Sequence, residues 1–355
     1  MLSEFFAHRG IAKAALPDGG SIALRFTSPV DEHLATRRGV GLFDFSFMGW
    51  WQFSGREARA CLERLQTREL TALAPGKGCY TLLCREDGSV FIDATVWCLD
   101  SQRYWLFTGR RTDASHLAAC ASSLEVQVEA LFDRYAVIAV QGPASAALLA
   151  RALPQCAAES LRFFAFRPIA IGGCDAWIAR LGYTGELGYE LLVADEAAVS
   201  LWNRLTEVPV DGVRLECGME AANSLRIEAG FIHFAYELRE RVFPAELGLS
   251  RLVRTDGGEF IGAPALRRAG QPTRRLAGIV LAQGEESVGM APVFAASPRV
   301  HLTSEAWSPV FERALGLAFV DASLDRGAKV SIDDGRTGVV AHLPFYARQA
   351  PQAKH

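Results

Sequence analysis

The amino-acid sequence predicts an α+β protein in which helices pack on antiparallel sheets and a small all-β unit follows. Three observations predict this class. Several runs alternate apolar and polar residues with the period of two that is typical of β-strands. Amphipathic segments with the period of a helix interrupt these runs. About 70 residues near the carboxyl end are rich in Val, Leu and Phe, are broken by Gly, Pro and Ser, and contain no convincing helix.

Composition bounds the size and class of the protein. The chain has 355 residues, of which 50% are hydrophobic and 22% are charged, as in globular proteins of two or three domains. A formal charge of −3 argues against binding to nucleic acid. The amino-terminal segment MLSEFFAHRG lacks the apolar core of a secretory signal, and no window resembles a membrane span. We therefore expect a cytoplasmic protein with neither a membrane nor a nucleic-acid partner.

Common cofactor and metal motifs are missing from the sequence. There is no GxGxxG, no GxxxxGK[ST] and no GxSxG segment, so dinucleotide binding, a P-loop and a hydrolase elbow have no support. The eight cysteines are scattered without a CxxC pair, and the histidines do not stand at metal-ligand spacing beside them. We predict no metal site.

The stretch from 47 to 133 predicts one compact α+β unit. The segment from Ser54 to Glu57 is a capping box with Ser54 as N-cap, and the helix that follows has an apolar stripe at Ala58, Cys61, Leu62 and Leu65. Three strands are expected at Tyr80–Cys84, 90–97 and Arg103–Thr108, and a second helix from about Asp113. Antiparallel strands with helices on one side follow from this order.

The following stretch alternates strands and helices. A strand at Ala136–Val140 leads through Gly142 and Pro143 into a helix, with the proline in its first turn. Residues 168–193 contain two strands joined by LGYTGELGY, and the next helix has Asp195 as N-cap. The helix MEAANSLRIEAG ends at Gly230, and the polar, basic segment Leu266–Arg275 is expected to be a linker.

Asp93 is the most unusual residue of the strand VFIDATVW. It shares a face with Phe91, Thr95 and Trp97, because alternate residues of a strand point the same way. Removing a carboxylate from water costs several kcal/mol unless hydrogen bonds compensate. Two interpretations follow: Asp93 is paired for structural reasons, or it is held ready for chemistry.

Four segments in order resemble one family. They are RRGVGLFDFSFMG, GCYTLLCREDGSVFIDATVW, RLGYTGELGYELLV and GMEAANSLRIEAGF, the last followed by PAELGL. Together they resemble the T-protein of the glycine cleavage system, an aminomethyltransferase, and its folate-dependent relatives. These relatives include tetrahydrofolate-dependent demethylases and the folate domains of dimethylglycine and sarcosine dehydrogenases. The resemblance runs from about Val30 to Tyr346 and so covers nearly the whole chain.

The resemblance implies a three-domain cloverleaf around a central folate channel. The first, folate-binding domain would be discontinuous, comprising residues 1–46 and 134–265. An inserted α+β domain would cover 47–133, and a carboxy-terminal β-barrel domain would cover 276–347.

The resemblance also implies roles for particular residues. Asp93 falls on the catalytic aspartate, which assists attack of the folate amine on a one-carbon unit by accepting its proton or stabilising positive charge. Glu190 falls on the glutamate that binds the pterin, whose adjacent N–H donors suit the two oxygens of one carboxylate. Tyr183, Tyr80 and Met48 would contact the folate as well. The other interpretations are a solvated glutamate at 190 and core tyrosines at 80 and 183.

Several positions depart from the family pattern. Phe47 stands where the family usually has histidine, and Gly109 where it commonly has asparagine. Ala222 stands in place of a ligand-contacting arginine of the T-protein, which makes this segment more similar to the dimethylglycine and sarcosine enzymes. Tyr346 matches a carboxy-terminal tyrosine at the substrate end of the channel, and Phe47, near the pocket mouth, is assigned to substrate binding as well. KGCY at 77–80 matches a folate-binding assembly factor only by coincidence, because the residues that follow and its place in the chain differ.

We therefore expect a tetrahydrofolate-dependent transferase that moves a methyl, methylene or aminomethyl-derived carbon between a small-molecule donor and tetrahydrofolate. The alternatives are a non-catalytic folate-binding or assembly factor and a true glycine cleavage T-protein. Because the chain lacks a dinucleotide motif, any oxidation of the donor would need a separate flavoprotein, and the T-protein alternative needs a carrier protein.

Overall fold

The computed structural model describes residues 2–18, 20–122, 124–254, 257–282 and 298–348. Three large sheets organise these residues, and a small hairpin lies near the amino terminus. The amino-terminal elements are α1 (Leu2–His8), β1 (Ala12–Ala15), β2 (Ser21–Arg25), α2 (Pro29–Arg38) and β3 (Val40–Asp44). The predicted α+β class is confirmed by this arrangement.

The first sheet combines strands from two distant parts of the chain. Its order is β10-β11-β12-β9-β3-β13, and all neighbours are antiparallel except β13 and β3. One face packs on α1, α5 and α6 around the buried Trp202. The elements not yet given are β9 (Tyr135–Gln141), α5 (Ser145–Ala152), β10 (Phe166–Ile171), β11 (Cys174–Ala179), β12 (Gly188–Ala194), α6 (Asp195–Glu207) and β13 (Arg214–Cys217).

The second sheet is antiparallel throughout, with the order β5-β6-β7-β4-β8. Its two helices cover one face, where the predicted stripe of Ala58, Cys61, Leu62 and Leu65 is buried. Its elements are β4 (Gly49–Ser54), α3 (Ala58–Leu65), β5 (Lys77–Cys84), β6 (Val90–Asp100), β7 (Arg103–Thr108), α4 (Ala114–Ala121) and β8 (Gln127–Ala130). The predicted strands and their antiparallel pairing are confirmed.

The other face of the second sheet packs against the first sheet. Trp50, Trp97 and Trp105 form an aromatic core with Phe166 and Trp177 of the first sheet, with ring centroids about 5–6 Å apart. This apolar contact fixes the position of the first sheet relative to the second. The distances between residues of the two sheets at the margin of the contact are therefore fixed as well.

The third sheet forms the carboxy-terminal all-β unit. Its order is β15-β18-β19-β14-β17-β16. Helix α7 (Met219–Glu228) joins it to the first sheet, because Ile227 packs on Leu315 and Leu317. Its strands are β14 (Arg274–Leu281), β15 (Arg299–Val300), β16 (Leu302–Ser308), β17 (Arg313–Asp321), β18 (Lys329–Ile332) and β19 (Thr337–Ala341).

Some local predictions are wrong. Ser54 ends β4, and the N-cap of α3 is Glu57, whose carboxylate accepts the Glu125 N–H instead. Asp195 is the first residue of α6, so Ala194 is its N-cap. Pro143 precedes α5 by two residues. These ends are set by contacts with distant segments, and motifs of four residues do not report such contacts.

The expected linker is shorter than predicted. A short helix, α8 (Ala263–Arg268), covers the beginning of the segment Leu266–Arg275, and β14 already includes Arg274. By contrast, Gly230 follows α7 with a positive φ of 70°, as a glycine C-cap requires.

We propose domain boundaries at 1–46 with 134–265, 47–133 and 276–347, which keep each large sheet within one domain except for Arg274 and Arg275, the first two residues of β14. Within the described residues, no helix combines the length and apolar character needed to span a bilayer. The cytoplasmic location stays a prediction.

Candidate functional site

A cavity of about 1220 Å³ lies where the three sheets meet. The second sheet contributes Tyr80 and Asp93, and the first sheet contributes Tyr183 and Glu190. Residues 245–252 and part of the third sheet complete the wall. Because this volume exceeds the roughly 300–1,000 Å³ of most small-ligand pockets, the cavity has room for an extended ligand and a second, smaller one.

Asp93 lines the cavity from the middle of β6. The Tyr80 hydroxyl donates a hydrogen bond to its Oδ2 at 3.0 Å. Tyr80 pairs with Thr95 in the sheet, which places it diagonally beside Asp93 on the same face. Burial raises the pKa of Asp93 to about 6, against the lowering effect of the Tyr80 hydrogen bond, and the nearby Glu237 carboxylate adds to the rise. The carboxyl therefore changes charge near neutral pH.

Glu190 lines the cavity from β12, on the face that packs toward the second sheet. Its sheet neighbours are Ala139 and Ala179, whose short side chains leave the carboxylate uncovered. The residue is only 5% exposed, and in the described part of the chain no group donates a hydrogen bond to its carboxylate. Burial raises the pKa of Glu190 to about 7. A buried carboxylate without donors is unusual in a folded protein, because its desolvation is uncompensated.

Tyr183 lies in the loop between β11 and β12. Its hydroxyl donates to the Ile232 carbonyl at 2.6 Å, and its ring stacks on Phe231 at 5.8 Å between centroids. Burial raises the pKa of Tyr183 far above its ordinary value. Because its hydroxyl is already bonded, Tyr183 offers the cavity an aromatic face, which suits a flat ring.

Phe47 and Met48 also line the cavity, from the turn between β3 and β4. The Phe47 ring meets Phe45 edge to face at 5.9 Å. This part of the wall is therefore apolar.

Tyr346 is not among the residues that line the cavity, although Leu343 and Pro344 of the same segment are. Its ring packs over the Arg37 guanidinium at 3.9 Å, and its backbone N–H donates to the Glu228 carbonyl at 2.9 Å. Arg37 in turn forms a buried ion pair with Glu228 at 2.8 Å and donates to the Thr184 carbonyl next to Tyr183. The structure thus places Tyr346 in a network that supports the loop bearing Tyr183.

The structure shows what surrounds two of the residues that depart from the family pattern. A Cβ at Gly109 would come within 2.6 Å of the Phe234 ring, so that aromatic side chain occupies the space that asparagine would need. Ala222 is fully buried against the aromatic core. Neither residue offers a polar side chain to a ligand.

Sequence reasoning missed several residues of the cavity wall. Arg68, Arg251 and Arg275 line it, as do His233 and Phe234. Arg251 comes from a single 3₁₀ turn, and Arg68 from the segment after α3, so no strand or helix periodicity marks either residue. The one available signal for Arg251 was the family segment PAELGL, which Arg251 follows closely in the sequence.

The site combines two buried carboxyls with aromatic walls. Their pKa values of about 6 and about 7 suit a proton acceptor and a hydrogen-bond acceptor near neutral pH. Elsewhere, and again only for the residues described, no group of three or more His, Cys, Asp or Glu side chains is arranged to hold a metal ion.

Comparisons with known proteins agree with this architecture. The GCVT N-terminal domain family matches residues 17–257, and the glycine cleavage T-protein C-terminal barrel domain family matches residues 274–346. The aminomethyltransferase of Streptomyces coelicolor is 35% identical, with 96% of each chain covered. That of Geobacillus kaustophilus is 33% identical, with 93% of each covered.

A solved structure agrees as well. The glycine cleavage system aminomethyltransferase T from Bartonella henselae has a TM-score of 0.80, 25% identity and 97% coverage of both chains. The fold expected from the resemblance, with its carboxy-terminal barrel, is confirmed.

Proposed function

We propose that this chain transfers the carbon of an aminomethyl group to tetrahydrofolate. The chain belongs to the glycine cleavage T-protein family of aminomethyltransferases. The curated relatives are named aminomethyltransferases, which favours this reaction over a demethylase that uses a methylated amine. The proposal keeps the broader expectation of a folate-dependent one-carbon transferase. Among the specific reactions considered, it prefers that of a glycine cleavage T-protein.

Glu190 is the observation that carries the proposal. Its carboxylate is buried, opens onto the cavity and has no donor among the described groups. A ligand with two adjacent N–H donors would satisfy both oxygens at once. The 2-amino-4-oxopyrimidine edge of a pterin has that pattern, and the neighbouring face of Tyr183 suits its flat ring. Tetrahydrofolate therefore fits the groups present.

Asp93 is proposed as the proton acceptor. When bound, tetrahydrofolate would supply the amine nitrogens that accept the one-carbon unit, and the amine and thiol of an aminomethyl-lipoyl donor would leave as ammonia and free thiol. Tyr80 holds Oδ2 of Asp93 by its hydrogen bond, so Oδ1 is the oxygen proposed to receive the proton. While ionised, the same carboxylate stabilises positive charge at the reacting carbon, and the low-dielectric surroundings strengthen that effect.

The donor and its partner remain part of the proposal. The Bartonella relative is described as belonging to a glycine cleavage system, which supports a carrier protein with an aminomethyl-lipoyl arm as donor. A carrier that already holds the carbon at the required oxidation level removes the need for a separate flavoprotein. Phe47 and Met48 are proposed to contact the donor and the folate respectively. Tyr346 is proposed to act through Arg37 instead of touching the substrate.

The test is anaerobic calorimetric titration with tetrahydrofolate, followed by transfer assays with a charged carrier protein. We expect saturable binding that is lost in Glu190→Ala, and transfer that is lost in Asp93→Asn while binding persists. Binding without transfer from either a charged carrier or methylated amines would favour the non-catalytic alternative. Transfer from dimethylglycine or sarcosine alone would favour the demethylase.

Tyr80→Phe is the matched control for Asp93. It removes the side-chain hydrogen bond that lowers the pKa of Asp93, while the aromatic ring stays. We expect the acid limb of the pH profile for transfer to move upward from about 6. An unmoved limb would show that another group titrates.

A further inference from the structure

His233 lines the cavity on the segment that follows α7. Its backbone N–H donates to Glu237 at 2.8 Å, and its ring stacks on Phe234 with centroids 4.6 Å apart and planes 23° apart. Phe234 in turn fills the space beside Gly109, where a Cβ would come within 2.6 Å of its ring. Glycine at 109 therefore makes room for the aromatic ring that supports His233.

The imidazole of His233 has an N–H donor that none of the described residues uses. Its Nδ1 accepts the Ala235 N–H at 3.1 Å, so the proton of the neutral ring lies on Nε2. Burial, assisted by the Arg226 guanidinium, lowers the pKa of His233 to about 4, which keeps the ring neutral near pH 7. Nε2 has no hydrogen-bond partner in the described part of the chain, and it is not one of the buried, unpartnered nitrogens found there. A ligand can therefore reach this N–H group.

Two neighbours place His233 in the part of the wall around Asp93. The Glu237 carboxylate that binds the His233 backbone also adds to the rise in the pKa of Asp93. The Ile232 carbonyl accepts the Tyr183 hydroxyl at 2.6 Å, and the Asp93 carboxylate adds to the rise in the pKa of Tyr183. Because such electrostatic effects weaken with distance, His233 belongs to the reacting end of the cavity.

The same segment also reaches the opening of the cavity. Phe231 and Tyr236, on either side of His233 in the sequence, are 37% and 38% exposed, and Phe231 lines the cavity as well. The segment 231–236 therefore extends from solvent to the cavity wall. A donor that enters along this segment passes His233 on its way to Asp93.

We infer that His233 donates a hydrogen bond from Nε2 to the departing atom of the one-carbon donor, and so favours a donor whose departing atom is sulfur. This inference rests on the proposed function and extends it to the choice of donor. When the carbon–sulfur bond of an aminomethyl thioether breaks, the bonding pair goes to sulfur and the carbon becomes an iminium ion. The Nε2–H group stabilises the sulfur anion, which takes its proton from solvent, so His233 keeps its own proton. An amine that departs as an ammonium ion has no lone pair to accept this hydrogen bond.

The experiment is single-turnover transfer from a charged aminomethyl-lipoyl carrier protein at saturating tetrahydrofolate. His233→Phe keeps a ring against Phe234 but lacks the N–H group, whereas His233→Gln places an amide N–H near the position of Nε2. His301→Gln is the control, because His301 is exposed and lies outside the cavity wall. Anaerobic calorimetry with tetrahydrofolate reports whether each variant keeps the folded site.

We expect His233→Phe to lower the transfer rate about ten- to a hundredfold, as the loss of a hydrogen bond to a charged atom would. Its affinity for tetrahydrofolate should stay within about twofold of the wild type. His233→Gln should recover most of the rate, and His301→Gln should match the wild type. The ratio of the wild-type rate to the His233→Phe rate should not change with pH near neutrality, because the ring is neutral there.

Two results would overturn the inference and leave the proposed function intact. One is a transfer rate that His233→Phe leaves unchanged. The other is an equal loss in His233→Phe and His233→Gln, which would show that the ring serves only the shape of the wall. A wild type that does not transfer from the charged carrier would overturn both the inference and the proposed function.

Discussion

Replacing Glu190 by glutamine removes a buried charge while keeping the shape of the side chain. Burial raises the pKa of this carboxyl from its ordinary value of 4.5 to about 7. One pKa unit corresponds to about 1.4 kcal/mol, so holding the group ionised costs the folded state about 3 kcal/mol. We therefore expect Glu190→Gln to increase the free energy of unfolding at pH 8 by up to about 3 kcal/mol.

The sign of the pH dependence follows from the direction of the shift. Between pH 4.5 and about 7 the folded protein binds a proton at Glu190 that the unfolded chain has lost. The stability of the wild type at this site is therefore greatest at low pH and decreases as pH rises through that window. The glutamine variant lacks this slope, so its advantage should fall below about 1 kcal/mol at pH 5.

Denaturant unfolding followed by tryptophan fluorescence at pH 5 and pH 8 provides the measurement. Glu216→Gln is the opposite control. Burial alone would raise the pKa of Glu216, but hydrogen bonds from Arg9 and Trp202 outweigh burial and lower it, so this variant should be destabilised at pH 8. If Glu190→Gln lowered stability at pH 8, or changed it equally at both pH values, the reasoning would be refuted and Glu190 would have a partner. The stabilised variant should also bind tetrahydrofolate more weakly, because an amide presents one donor where the pterin needs an acceptor.

Three further predictions concern other residues. Asp93→Asn should lower the transfer rate at least about a hundredfold in a single-turnover assay, while its affinity for folate stays within about threefold of the wild type. The transfer rate of the wild type should rise as pH increases through about 6. Equal losses in binding and transfer would contradict this role of Asp93. Gly109→Asn should destabilise the protein by about 1–3 kcal/mol in thermal unfolding, because its Cβ would come within 2.6 Å of the Phe234 ring. Adding Phe234→Ala should relieve that clash, and no relief would place the strain elsewhere. Arg37→Ala breaks a buried ion pair and should lower the free energy of unfolding by about 3–5 kcal/mol. Arg56→Ala breaks an exposed ion pair and should lower it by less than about 1 kcal/mol. Similar losses in the two variants would argue against the supporting network.

Local sequence patterns predicted the second sheet well. The strand that contains Asp93 alternates as expected, and its aromatic face packs inward at Trp97. Periodicity works here because each strand buries one face, so side-chain polarity records the direction of the core. Helix ends were less predictable, as Ser54 and Asp195 show, since a cap depends on which distant group meets the exposed N–H groups.

Asp93, Glu190, Tyr80 and Tyr183 were all identified from motifs, and the structure places them around one cavity. Each of these motifs is contiguous, so resemblance can assign a residue within it. That Glu190 lacks a donor within the described ranges, and that Tyr80 bonds Asp93, depends on sheet register and on how the first and second sheets pack together.

The folding of distant segments decided the remaining features. The resemblance assigns Tyr346 to the substrate, and no local pattern predicts that its ring packs over Arg37, more than 300 residues earlier in the chain. The arginines of the cavity wall lie in a turn, in a connecting segment and at the beginning of β14, where side-chain direction has no local signature. A sequence states which charges exist, whereas burial and pairing, which determine their energies, arise only when separate segments meet.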